Sequence, residues 1–239
     1  MRLHVRSNSN GAFAPEGKPL EPQIPTSHNQ GAQSARPPLR LGVLLSGRGS
    51  NFEAIAASIR EGRLANVEIA IVLSNVADAG GITTAKQLGL PHAVLVSKGR
   101  PRAEHDAEIS AALRAQNVEI VCLAGYMRLL SPGFIAAFPN RILNIHPSLL
   151  PAFPGLQAQR QAFDYGVKVA GCTVHFVDEH LDHGAIILQR AFPVLDTDDA
   201  DSLAARILVE EHLAYTEAIA RVASGNFEIR GRRYVPRGN

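Results

Sequence analysis

With 239 residues, 46% of them apolar and 19% charged, the chain has material for one α/β domain with a sizeable core and too little for two. Its longest apolar stretches, such as residues 120–126, fall far short of the roughly 18 residues that a membrane-spanning helix needs. The net charge of +2 is uneven: Arg2, Arg6, Lys18, Arg36 and Arg40 against Glu16 and Glu21 put +3 on the first 40 residues and leave −1 on the rest, which argues against a large nucleic-acid face on the folded part.

Residues 1–39 are rich in Pro, Gly, Ser, Asn and Gln and lack apolar periodicity. Such a segment cannot bury enough surface to offset its ordering entropy, so a disordered leader is expected ahead of a single domain over residues 40–239. The stretch before Glu16 is free of acid and carries Arg2 and Arg6, a faint transit-peptide trait, but the early Asn, Gly and Pro spoil an amphipathic helix. No secretory apolar region is present, and a cytoplasmic location is the expectation.

From Leu41 the pattern changes. Residues 41–45 read as an apolar strand, followed by a Gly-rich turn and a helix over 51–61. The spacing then predicts a strand at 67–73, a helix near 81–88, a short strand at 93–96, an amphipathic helix at 102–116 and a buried strand at 118–124. Strands alternating with helices in this way mean βαβ units and a mostly parallel sheet with helices on both faces. Ligands of such sheets bind beyond the carboxyl ends of the strands. In the second half, residues 141–145 form a strand, 147–155 a Pro-punctuated loop, and a short helix follows. Two long strands, 169–177 and 185–192, are joined by few residues and should pair as an antiparallel hairpin. A long helix over 200–223 and a weak strand near Tyr234 complete the chain. Cys122 and Cys172 sit in apolar, β-prone runs; one buried disulfide is open, but two inert core thiols fit better, and no CxxC pair offers a metal knuckle.

Three segments carry residue types suited to chemistry. The first, Ser46-Gly47-Arg48-Gly49-Ser50-Asn51, ends the first strand. Glycines permit a sharp turn, and free N–H groups at a helix start can hold a phosphate. Phe52 replaces the third Gly of a dinucleotide fingerprint, and no Gly-Lys-Ser/Thr makes it a P-loop. A plain helix start, with Ser50 and Glu53 as a capping box, also accounts for the segment. The second, Asn144-Ile145-His146-Pro147-Ser148-Leu149-Leu150-Pro151, puts Asn144 and His146 on one face of a strand by alternation. A His there can serve as general acid and an Asn amide can donate to an oxyanion; a structural His satisfied by a loop carbonyl remains the alternative. The third, Asp178-Glu179-His180-Leu181-Asp182-His183-Gly184, reads as a solvated turn or as the source of a carboxylate that would favour a charged His146. His180 and His183 flank Asp182, but without a third ligand no metal site is expected. His175, on an apolar strand, reads as a packed core residue, and His212, beside Glu211 on the last helix, as a surface one.

Taken in order, Gly47 to Asn51, then Leu123-Ala124-Gly125-Tyr126-Met127-Arg128-Leu129-Leu130-Ser131-Pro132, then Asn144 to Pro151 and Asp178 to Gly184 resemble the folate-dependent formyltransferases. The Gly-Ser-Asn loop narrows the resemblance to the phosphoribosylglycinamide formyltransferases, and it runs over nearly all of the folded part. It implies a single Rossmann-like domain with two adjoining substrates, glycinamide ribonucleotide and 10-formyltetrahydrofolate, and no metal or ATP. By resemblance, Gly49, Ser50 and Asn51 would hold the ribonucleotide phosphate and Glu211 its ribose hydroxyls. Met127, Arg128, Leu129 and Leu130 would line the pterin pocket with Asn144 and Asp178, and Arg102 would lie near the junction of the two substrates. Asn144, His146 and Asp182 would be the catalytic set. One departure is the helix start 155–160, Gly-Leu-Gln-Ala-Gln-Arg, where the family often carries His.

Formyltetrahydrofolate hydrolase shares the Asn, His and Asp set but adds a folded amino-terminal domain that the short polar leader is not expected to form. Methionyl-tRNA formyltransferase adds a carboxyl-terminal β-barrel for which this chain looks too short, and no nucleic acid or membrane partner is expected. A non-catalytic phosphosugar binder would explain the Gly loop but leave Asn144, His146 and Asp182 without a task. No stripe marks an oligomeric interface, so monomer and homodimer stay open.

Overall fold

A computed structural model describes residues 37–237. The expectations for the leader, save for residues 37–39, fall outside the described residues. Leu39 already belongs to the first strand.

Strands β1 (Leu39–Leu45), β2 (Val67–Ser74), β3 (His92–Val94), β4 (Ile120–Leu123) and β5 (Ile142–His146) run parallel, in the order β3-β2-β1-β4-β5. Next to β5 the direction reverses: β6 (Val169–Phe176) is antiparallel to β5, and β7 (Ile186–Pro193) is antiparallel to β6. A terminal hairpin, β8 (Phe227–Arg230) and β9 (Arg233–Pro236), extends the sheet through β9 alongside β7. The expected hairpin of long strands is thus observed, whereas the single weak strand near Tyr234 proves to be the second half of a β-hairpin.

The helices cover both faces because β1 and its neighbours are apolar on both. Leu41, Val43 and Leu45 enter one core cluster, where they meet Phe52 and Ile55 of α1 (Ser50–Arg60), Ile82 of α2 (Gly80–Gln87), and Leu203, Ile207 and Tyr215 of α6 (Ala200–Ala223). Leu44 points the other way, to Ile109 and Leu113 of α3 (Arg102–Ala115) and Phe134 of α4 (Pro132–Ala137). Each such side chain, fully buried, contributes about 1.5–3 kcal/mol. Helix α4 lies between β4 and β5, where no helix was expected; its single apolar turn is too short for periodicity to declare itself, although Ser131 caps it by accepting from Phe134 N at 3.3 Å and Pro132 opens it. A short helix, α5 (Ala158–Tyr165), precedes β6.

Helix α6 starts with a reciprocal cap between Asp199 and Ser202. Its buried Tyr215 hydroxyl lies 3.1 Å from the Leu123 carbonyl oxygen and 3.0 Å from that of Leu143, locking the helix to β4 and β5. Cys122 and Cys172 are free and buried, and burial pushes both thiols up to about 12, as inert core residues require.

Candidate active site

The chain leaves β1 toward β2 and β3 on one side and returns to place β4 on the other, so the loops after β1 and β4 diverge from a switch point. Side chains stitch these loops into one rim. Ser46 N donates to the Gly125 carbonyl at 3.1 Å, and Met127 N donates to Ser46 Oγ at 2.8 Å. The Ser46 hydroxyl donates to Asn75 Oδ1 at 2.6 Å, and the Asn75 amide donates to Ser97 Oγ at 3.0 Å. The Arg128 guanidinium then ties the rim to the segment before α3, donating to the carbonyls of Ser97 at 3.1 Å and Arg100 at 3.0 Å.

At the start of α1 the capping box does not form. Gly49 is the capping residue, with φ of 86° and no side-chain cap, and the Glu53 carboxylate instead accepts from Thr84 Oγ1 at 2.9 Å. The left-handed backbone at Gly49 brings it against α2: a Cβ there would stand 2.9 Å from Gly81 Cα. The amides of Ser50, Asn51 and Phe52 therefore head an uncapped helix, with no intrahelical acceptor and the positive end of the dipole behind them. A helix start of this kind is able to receive an anion.

The buried floor beside this turn pairs Asn51 with Glu211, the Asn51 amide donating to Glu211 Oε2 at 2.8 Å. Burial pushes the Glu211 carboxyl up to about 7, against the opposing pull of the Asn51 hydrogen bond. The Asn51 Oδ1 atom is buried without a hydrogen-bond partner. His212, expected on the surface, is half-buried, because α6 packs along its length, and burial lowers its pKa.

Asn144 and His146 do lie on one face of β5, at its carboxyl end. Antiparallel pairing sets His175 of β6 opposite Asn144 and Thr173 opposite His146. Asp182 arrives from the β6–β7 loop. Its Oδ2 is 3.4 Å from His146 Nδ1 and accepts from Gly155 N at 2.8 Å, while its Oδ1 is 3.8 Å from His175 Nε2. Asp182 has φ of 49°, a left-handed conformation that Asp tolerates better than most residues. The other His146 nitrogen, Nε2, is 2.8 Å from the Phe153 carbonyl oxygen.

His175 is the participant that sequence reading treated as core. It is buried, as expected, but its bonds bear on the cluster. Its Nδ1 faces the Phe176 carbonyl at 2.8 Å, an acceptor only, so Nδ1 carries the proton and Nε2 accepts from the Asn144 amide at 3.2 Å. Burial lowers the pKa of His175, which keeps this neutral tautomer. The amide of Asn144 is thereby oriented. A strand His one residue before a strand end is a weak signal, and only the β5–β6 register, set across the long 147–168 connection, reveals it.

Of the remaining residues, Met127 and Leu129 are exposed at 71% and 55% on the rim, and Arg102 is exposed at the first position of α3. Leu130 is instead buried, packed with Phe134 and Phe138, so its side chain belongs to the scaffold. Asp178 opens the β6–β7 loop and accepts from His180 N at 2.9 Å and from His183 Nδ1 at 2.9 Å. The loop thus turns Asp182 inward, away from the two histidines that flank it in sequence, and sets Asp178 beside them.

Residues 39–219 match the formyl transferase family. The chain is 40% identical over 233 residues to the trifunctional purine biosynthetic protein adenosine-3 of Drosophila pseudoobscura pseudoobscura, covering 94% of this chain but only 17% of that protein. It is 38% identical over 204 residues to the phosphoribosylglycinamide formyltransferase of Escherichia coli, covering 82% of this chain and 96% of the relative. Among solved structures, glycinamide ribonucleotide transformylase 1 from Symbiobacterium toebii superposes with a TM-score of 0.81 at 51% identity, covering 84% of this chain and 95% of that one.

Proposed function

The chain belongs to the formyl transferase family, and we propose that it transfers the formyl group of 10-formyltetrahydrofolate to the amine of glycinamide ribonucleotide, a step of purine biosynthesis. The observation that carries the reading is the meeting of Asn144, His146 and Asp182 at the end of one strand, with Asp182 3.4 Å from the His146 ring. An uncapped helix start beside the same sheet edge supplies the anion seat such a substrate needs. The names of the relatives agree.

The chemistry follows from those groups. The glycinamide amine attacks the formyl carbon, and the carbonyl electrons move to oxygen. The Asn144 amide, oriented by His175, and a protonated His146 donate to that oxyanion; a donor of this kind is commonly worth about 10²–10³ in rate. The Phe153 carbonyl, 2.8 Å from His146 Nε2, marks where an acceptor sits, and substrate oxygen would take its place. Asp182 holds the imidazole at Nδ1 and stabilises its charge. As the tetrahedral centre collapses, the bond to the folate nitrogen breaks, and the amine proton reaches that nitrogen by way of water and the His146–Asp182 pair, help worth roughly 10²–10⁴.

Gly49, Ser50 and Asn51 hold the phosphate, and Glu211 receives the ribose hydroxyls from beneath. Met127, Arg128, Leu129 and Asp178 border the pterin, Leu130 through its main chain, with Arg102 near the junction of the two substrates. The catalytic domain in this reading is residues 40–239, acting without metal in the cytoplasm. Among the described residues no helix is long and apolar enough to cross a membrane.

The test is to mix the full chain with 10-formyltetrahydrofolate, with and without glycinamide ribonucleotide, and to follow tetrahydrofolate release. Release that requires the ribonucleotide supports the transferase. Release without it makes the protein a hydrolase, and none in either mixture leaves a phosphosugar binder or a transferase with a different acceptor.

A further inference from the structure

We propose that Asp178, His180 and His183 form a binding site for a divalent transition cation of the zinc type, on the loop between β6 and β7. Each offers one ligand atom, and the three atoms lie within 4.8 Å of one another. His183 Nδ1 is 2.9 Å from Asp178 Oδ2, His180 Nδ1 is 3.9 Å from Asp178 Oδ1, and the two imidazole centroids are 5.1 Å apart. A tetrahedral zinc with bonds of roughly 2.0–2.2 Å holds its donors about 3.4 Å apart. The two spacings, from His183 to Oδ2 and from His180 to Oδ1 of Asp178, lie on either side of that value, so closing the site on one carboxylate oxygen calls for side-chain rotation. The His180 side chain is 75% exposed.

The donor set selects the ion. Two imidazoles and one carboxylate suit zinc, nickel, copper or iron, whereas magnesium and calcium demand all-oxygen cages. Three protein donors leave a coordination position open, and the exposure of His180 turns it to solvent.

The loop is braced for the task. Asp178 follows β6 by two residues, its Oδ1 already fixed by the His180 amide at 2.9 Å, and Asp182 is pinned to Gly155 N at 2.8 Å. Asp182 lies between the two histidines in sequence yet points to His146, so the cation site and the His146 cluster share a loop but no ligand. The site requires nothing of the proposed formyl transfer. If that reaction is the chain's own, a bound cation would engage the Asp178 carboxylate that borders the pterin.

The test uses the full chain, without an affinity tag and stripped with chelator. Zinc chloride is titrated by calorimetry in a non-coordinating buffer, and cobalt(II) is titrated while its visible absorption is followed. The expected result is one equivalent bound by the native chain, with affinity lowered at least tenfold in both His180→Ala and His183→Ala and unchanged in His92→Ala, an exposed histidine on β3. Cobalt bands of low-coordinate intensity should appear in the native chain and vanish in both loop variants. Retention of that equivalent in His180→Ala, or no binding by the native chain, overturns the proposal. Apo melting curves accompany each variant; if loss of the His183–Asp178 hydrogen bond unsettles His183→Ala, the exposed His180→Ala decides alone.

Discussion

Glu211→Gln tests the buried floor beside the start of α1, and the magnitude follows from the structure. The Glu211 carboxyl is pushed up to about 7 from 4.5 by burial. A rise of about 2.5 units at about 1.36 kcal/mol each is a differential of about 3 kcal/mol between the neutral and ionised forms. The sign is set by the direction: the folded protein favours the protonated acid, so the site's contribution is fully present below pH 4.5 and is lost as pH rises through about 7. Glutamine stays neutral throughout and keeps an oxygen to accept from Asn51, whose amide now bonds Glu211 at 2.8 Å. The variant should therefore exceed the native protein in stability by less than about 1 kcal/mol at pH 5 and by about 3 kcal/mol at pH 8. Urea unfolding at the two pH values, with unchanged m, measures the difference. In parallel the KM for glycinamide ribonucleotide should rise, because a strong acceptor has been replaced by a weak one. A difference that does not vary with pH, or a variant less stable than native at pH 8, would refute the claim that Glu211 is held at a cost by its burial.

Three further outcomes follow from the same geometry. Asp182→Asn should lower kcat by about 10² or more while leaving the ribonucleotide KM within about threefold, measured by steady-state kinetics; equal damage to both parameters would count against the proposed role. Gly49→Ala forces a Cβ into a left-handed turn at 2.9 Å from Gly81 Cα, so roughly 1–3 kcal/mol of stability should go, with a rise in ribonucleotide KM; calorimetric melting and kinetics would read it, and a silent substitution would mean that the turn relaxes freely. Tyr215→Phe removes the hydroxyl that bridges β4 and β5 and should cost about 1–2 kcal/mol in urea unfolding, with no change in that cost between pH 6 and 8; a neutral result would mean that the carbonyls of Leu123 and Leu143 are satisfied without it.

Much of the framework was legible because it is local. The apolar runs of β1, β2 and β4 and the 200–223 helix announce themselves by composition and period, and the helix bounds agree with those read from sequence. The Asn144–His146 face follows from alternation alone. Less was legible where a short element carried too few residues to show a period, as with α4, or where a cap depended on backbone conformation. Ser50 and Glu53 have the right identities and spacing for a capping box, yet Gly49 takes the cap in a left-handed turn and Glu53 finds Thr84 on another helix.

By itself, then, the amino-acid order determined which residues could carry charge, donate a proton or turn sharply, and on which side of their own strand they point. Tertiary structure decided which of them meet. The antiparallel register of β5 and β6 brings His175 to Asn144, and the β6–β7 loop turns Asp182 toward His146 while leaving His180 and His183 to Asp178. Burial, a property of the packed whole, is what raises the Glu211 carboxyl and lowers His175. Periodicity acts over a few residues, whereas register and desolvation depend on surfaces contributed by segments far apart in the chain, and no local pattern encodes them.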